Sequence, residues 1–119
     1  MEGLSEEALA QVAAYFQTLS EPTRLQILNL LRTQERSVGE LARLCGYSSA
    51  NISRHLALLT RRGLVKREMR GNSAFYSIDD PSVYALCDIA CGSIALQFER
   101  TLQKRAAFVP APARRTRTR

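Results

Sequence analysis

The chain has 119 residues, 45% apolar and 24% charged, the make-up of one small soluble globular domain rather than two. No apolar run approaches the ~20 residues of a membrane span. The acidic start MEGLSEEALA lacks the basic lead of a signal peptide, so a cytoplasmic location is expected. A net charge of +6 makes an acidic partner such as nucleic acid the first to consider.

That charge is unevenly placed. The last six residues, RRTRTR, carry +4, and residues 43–70 carry +6 through Arg43, Arg54, Arg61, Arg62, Lys66, Arg67 and Arg70 against Glu68 alone. The rest of the chain is acidic, at −4. Residues 109–119 mix Pro, Ala and Arg with nothing to bury and read as a disordered basic tail behind a folded part of residues 1–108.

Leu4, Ser5 and the acidic pair Glu6-Glu7 predict a capped first helix over about 5–19, with Leu9, Val12, Phe16 and Leu19 at helical spacing. Pro22 restarts the chain, and Leu25, Ile27, Leu28, Leu30 and Leu31 predict a buried second helix to about 33. Ser37 and Glu40 fit a capping box, opening a short third helix that stops at Gly46. Ser48 caps a fourth helix, with Ile52, Leu56 and Leu59 on one face and Gly63 at its end. Two helices joined by a tight Gly-containing turn, the second rich in small polar and basic residues, form the helix-turn-helix pattern.

Two alternating runs, Leu64–Met69 and Ser73–Ile78, flank Arg70-Gly71-Asn72 and predict a β-hairpin with a basic tip, placed as a wing. Asp80 and Pro81 open a last helix over about 81–107. Its apolar stripe is Val83, Leu86, Ile89, Ala90, Ile94, Phe98 and Leu102. The expected fold is a mainly α winged helix-turn-helix in the order ααααββα. The stripe is too long for one 119-residue core, which points to a homodimer.

The segments LSEPTRLQILNLL (19–31) and SVGELARLCGYSSANISRHLALLTRRGLVKREMRGNSAFYSIDD (37–80) closely resemble the ArsR/SmtB family of bacterial metalloregulatory repressors. The resemblance spans roughly residues 12–108. Its most specific pieces are Pro22-Thr23-Arg24, Ile52 through Leu59, Gly63-Leu64-Val65 and Tyr76-Ser77-Ile78. It implies a cytoplasmic, non-enzymatic repressor that binds double-stranded operator DNA.

A recognition helix presents its N-terminal half to the major groove, where short polar side chains reach base edges and Arg reaches guanine or phosphate. Ser49, Asn51, Ser53 and Arg54 are therefore the expected readers, with Ser48 divided between capping and a phosphate contact. The resemblance adds Ala50, which offers only an apolar contact. Arg67, Arg70 and Asn72 on the wing are expected to meet phosphates. His55, the only histidine, reads as a packed residue.

Cys87 and Cys91 lie i, i+4 on the last helix, with Cβ atoms ~6 Å apart, so two thiolates there can grip a soft ion with little backbone movement. Trivalent arsenic and antimony are such ions, and the resemblance places inducer sites and the dimer interface on this helix. It also marks two departures. The family's cysteine-rich arsenic site on the third helix would fall on Ser37, Gly39 and Ala42, and the zinc site of the last helix needs histidine where this chain offers only Asp88 and Glu99. Cys45 reads as core, with a third thiolate as the other possibility. A redox or persulfide sensor using the same thiols is the second reading, disfavoured because a direct disulfide needs Cβ atoms ~3.5–4.5 Å apart. An enzyme or metal carrier has neither a CxxC nor a phosphate loop to work with.

Overall fold

The computed structural model describes residues 1–110. The expected tail falls mostly on residues 111–119, outside the described residues.

Helix α1 (Glu6–Thr18) begins as its cap dictates: the Ser5 hydroxyl accepts the Ala8 N–H at 3.1 Å, and Glu6 and Glu7 place negative charge at the positive end of the helix dipole. Pro22 opens α2 (Pro22–Leu30), and the Glu21 carboxylate accepts the Arg24 N–H at 3.1 Å. This helix ends three residues before the expected 33. Leu31 remains in the core, 2% exposed, but it is already the C-cap, and the Arg32 N–H turns to the Asn29 carbonyl. Apolar periodicity reports burial, and here burial continues past the helical hydrogen bonds.

A strand the sequence did not announce follows, β1 (Arg36–Ser37), so the order is ααβααββα rather than ααααββα. Two residues are too few to show alternation. Ser37 serves twice, because it also caps α3 (Val38–Cys45): its hydroxyl accepts the Glu40 N–H at 3.2 Å while the Glu40 carboxylate accepts the Ser37 N–H at 3.2 Å. Gly46 ends α3 at φ +75°, a left-handed conformation that glycine adopts without strain, and α4 (Ser49–Arg61) begins three residues on.

The hairpin is β2 (Val65–Arg70) and β3 (Ser73–Ile78), registered from Val65 opposite Ile78 to Arg70 opposite Ser73. That leaves the two-residue loop Gly71-Asn72, with Gly71 at φ +61°. β1 pairs with the other edge of β3, giving the antiparallel order β1-β3-β2. Ile27, Leu41, Ile52, Leu56, Leu59 and Leu64 are all fully buried, each contributing about 1.5–3 kcal/mol relative to exposure.

Residues 1–81 form one compact unit, and the chain from Ser82 forms a second, made of α5 (Ser82–Ala107). From Asp88 onward every described residue of α5 is exposed. Of its apolar stripe only Val83 is fully buried, while Ile89, Ile94, Phe98 and Leu102 are 70%, 52%, 67% and 64% exposed. Among the described residues no helix is long and apolar enough to cross a membrane.

Candidate nucleic-acid interface and thiol pair

Burial of Ile52, Leu56 and Leu59 fixes the rotation of α4 about its axis. At 3.6 residues per turn the opposite face then carries Ala50, Ser53, Arg54, Ala57 and Arg61, and each is exposed. Ser53 and Arg54 therefore stand together on the open side of the helix, where the sequence put them. Ser49 is exposed at its start. The Ser48 hydroxyl is occupied as the cap, accepting the Asn51 N–H at 3.1 Å. Asn51 is half-buried, and its Oδ1 is shielded from solvent without a hydrogen-bond partner among the described residues, so this oxygen faces away from the open side.

The position of α4 against the first two helices depends on a residue to which the sequence reading gave no role. The Arg24 guanidinium donates from Nε to the Thr18 carbonyl at 2.6 Å and from Nη2 to the Gln17 carbonyl at 3.2 Å, and its Nη1 lies 3.3 Å from His55 Nδ1. Glu21 completes the group, with Oε2 3.8 Å from the same imidazole nitrogen. His55 is thus a partnered structural residue, as expected of a lone histidine beside an apolar stripe. Three contacts converge on one planar fork, which an arginine provides and a lysine does not.

On the wing, side chains alternate between faces, so Arg67 and Arg70 project from opposite sides of β2. Arg67 and Asn72 are exposed. Arg70 is tied: its guanidinium pairs with both Glu35 oxygens, the Nη2 contact being 2.8 Å, and with Glu68 at 3.1 Å, and it lies 5.0 Å from the centre of the Phe75 ring. The hydrogen bonds from Arg70 hold the Glu35 carboxyl below the usual carboxylate range, and those carboxylates raise the affinity of Arg70 for its proton.

None of the three cysteines is in a disulfide. Cys91 is exposed and Cys87 half-buried, on one uninterrupted stretch of α5. Continuing at spacings of three and four, the same line runs through Ile94, Phe98 and Leu102, so the thiols extend the exposed apolar stripe. Cys45 lies on α3, and burial pushes its thiol pKa up, which makes it a poor thiolate. No group of three or more His, Cys, Asp or Glu side chains suited to a metal ion occurs among the described residues, so α5 of one chain offers a pair of cysteine side chains rather than a closed cage.

Residues 21–67, from the start of α2 into the wing, match the family described as bacterial regulatory protein, arsR family. The regulator Rv0081 of Mycobacterium tuberculosis is 38% identical over 106 residues, covering 88% of this chain and 90% of that one. This chain belongs to the ArsR/SmtB family of transcriptional regulators. The crystal structure of Rv0081 superposes with a TM-score of 0.72 over 86% of this ArsR-family chain and 99% of its own. The homodimeric winged helix-turn-helix DNA-binding domain of Mb0332 from Mycobacterium bovis superposes at 0.69, with 31% identity, over 84% and 95%. A CadC homolog of Staphylococcus aureus, a cadmium resistance regulatory protein, is 34% identical over 88 residues, 73% of each chain. The fold is that of a DNA-binding regulator, not an enzyme, and the expected architecture stands apart from the added β1.

Proposed function

We propose that this regulator is a homodimeric repressor that reads operator DNA with α4 and the wing, and releases it when trivalent arsenic or antimony binds Cys87 and Cys91. The observation that carries the effector site is the thiol pair at i, i+4, half-buried Cys87 and exposed Cys91, in line with the exposed stripe of α5. A second copy covering Ile94, Phe98 and Leu102 brings the thiols to the subunit boundary, and a third ligand can then come from the partner subunit. Similarity to a cadmium resistance regulator supports a soft, thiophilic ion as the effector class.

Two recognition helices related by a twofold axis meet successive major grooves about 34 Å apart, so the operator is expected to be nearly palindromic. Ser49, Ser53 and Arg54 meet base edges, while Arg67 and Asn72 meet phosphates. Ser48 acts as the cap that sets the first turn of α4. An effector displaces DNA only by binding the DNA-free dimer more tightly than the DNA-bound one, and the coupling is reciprocal.

The test is a fluorescence-anisotropy titration on the DNA upstream of the protein's own gene, with arsenite, antimonite, zinc or polysulfide added. Release by arsenite or antimonite that is lost in Cys87→Ser and Cys91→Ser, while both variants still bind DNA, supports the reading. Release by polysulfide alone transfers the function to persulfide sensing, for which the exposed Cys91 is the accessible thiol. Response lost in Cys45→Ala but kept in Cys87→Ser rejects the site on α5.

A further inference from the structure

The acidic partners of Arg70 raise a question that the DNA-binding reading leaves open. The body of the protein from α3 to the wing is rich in cations, yet the arginine beside the wing turn is matched by two carboxylates. Glu68 is its near neighbour on β2. Glu35 is not: it precedes β1, 35 residues earlier in the chain, and engages the guanidinium with both oxygens.

A bidentate carboxylate presents to a guanidinium the same planar pair of acceptor oxygens that a DNA phosphate would. We propose that Glu35 is an intramolecular stand-in for phosphate that holds Arg70 and lowers the affinity of the wing for DNA. This rests on the reading of the wing as a DNA contact. The contact lies at the surface, the side chains of Arg70 and Glu35 being 45% and 41% exposed, so phosphate and salt both reach it. Phe75 keeps the guanidinium in place on one side while its donors are exchanged between Glu35 and DNA. The arrangement makes Arg70 a conditional contact and Arg67, on the other face of β2, an unconditional one.

The test is binding of the full chain to a random-sequence duplex and to the upstream fragment, across a range of salt, for wild type, Glu35→Gln, Arg70→Ala and the double variant. Glu35→Gln is expected to bind both DNAs more tightly and with a steeper salt dependence, since one added phosphate contact changes affinity by roughly 3.5-fold over a fourfold change in salt. Arg70→Ala is expected to cost less affinity in the wild-type background than in the Glu35→Gln background, where it cancels the gain.

A gain that persists without Arg70 is general charge removal and overturns the proposal. Weaker binding by Glu35→Gln, with unchanged thermal stability, also overturns it, because Glu35 would then be orienting Arg70 for DNA rather than withholding it. If wild type binds neither duplex, the DNA-binding reading fails and this inference with it. If wild type binds and Glu35→Gln behaves identically, only the stand-in role fails.

Discussion

Replacing Arg24 by Ala is expected to destabilise the unit of residues 1–81 by about 2 kcal/mol, nearly all of it from one hydrogen bond. The Gln17 carbonyl keeps other donors, the Ser20 N–H at 3.1 Å and the Ser20 hydroxyl at 2.6 Å, so losing Nη2 changes it little. The Thr18 carbonyl sits in the last turn of α1, where intrahelical donors have run out, and takes its 2.6 Å bond from Arg24 Nε. A bond to a charged donor is worth about 1.5–3 kcal/mol, and partial exposure of the arginine keeps the value toward the lower half. At about 4 °C per kcal/mol for a domain of this size, the midpoint of thermal unfolding falls by about 8 °C. Circular dichroism at fixed protein concentration measures it, with Arg24→Lys recovering less than half because an ammonium cannot reach both the carbonyl and His55. A shift below about 2 °C for Arg24→Ala would refute the reasoning and show that the clamp is replaced by water.

Arg54→Ala is expected to lose about 1–3 kcal/mol on the specific site and to narrow the gap to random DNA; unchanged specificity in competition assays would exclude α4 as the reader. Phe98→Glu places a charge in the exposed stripe of α5 and should give a monomer by sedimentation at micromolar concentration, whereas an intact dimer would move the interface elsewhere. Iodoacetamide followed by mass spectrometry should label exposed Cys91 first and Cys45 last. Because burial raises the Cys45 pKa, its labelling should accelerate only at a pH above that of an ordinary thiol, and early labelling of Cys45 at neutral pH would contradict its placement.

Most of the fold was legible in the chain because its signals are local. Ser5, Ser37 and Ser48 cap the helices they precede, and the hairpin closes on Gly71, but its register is one residue off that of the expected runs: Val65 rather than Leu64 faces Ile78, and Arg70 belongs to β2 instead of the turn. The end of α2 was misplaced because Leu31 stays in the core after the helix has stopped. For the candidate site, Ser53 and Arg54 could be placed from periodicity, since three buried residues fix which side of α4 is open. The Arg70–Glu35 pair could not, because nothing at either position marks a partner 35 residues away. The same holds for Arg24 and His55, 31 residues apart. Ion pairs between segments depend on tertiary geometry and leave no periodic trace in the sequence.

Ser37 belongs at once to the sheet and to α3. Its backbone pairs with Phe75 of the wing while its side chain starts the first helix of the helix-turn-helix. There is no linker residue between these roles, and so no joint at which the hairpin could swing without tilting α3. A load applied at the wing, by a phosphate or by a neighbouring subunit, is therefore delivered to the first turn of the helix-turn-helix rather than absorbed. Inserting a single glycine after Ser37 would turn this stiff corner into a compliant one.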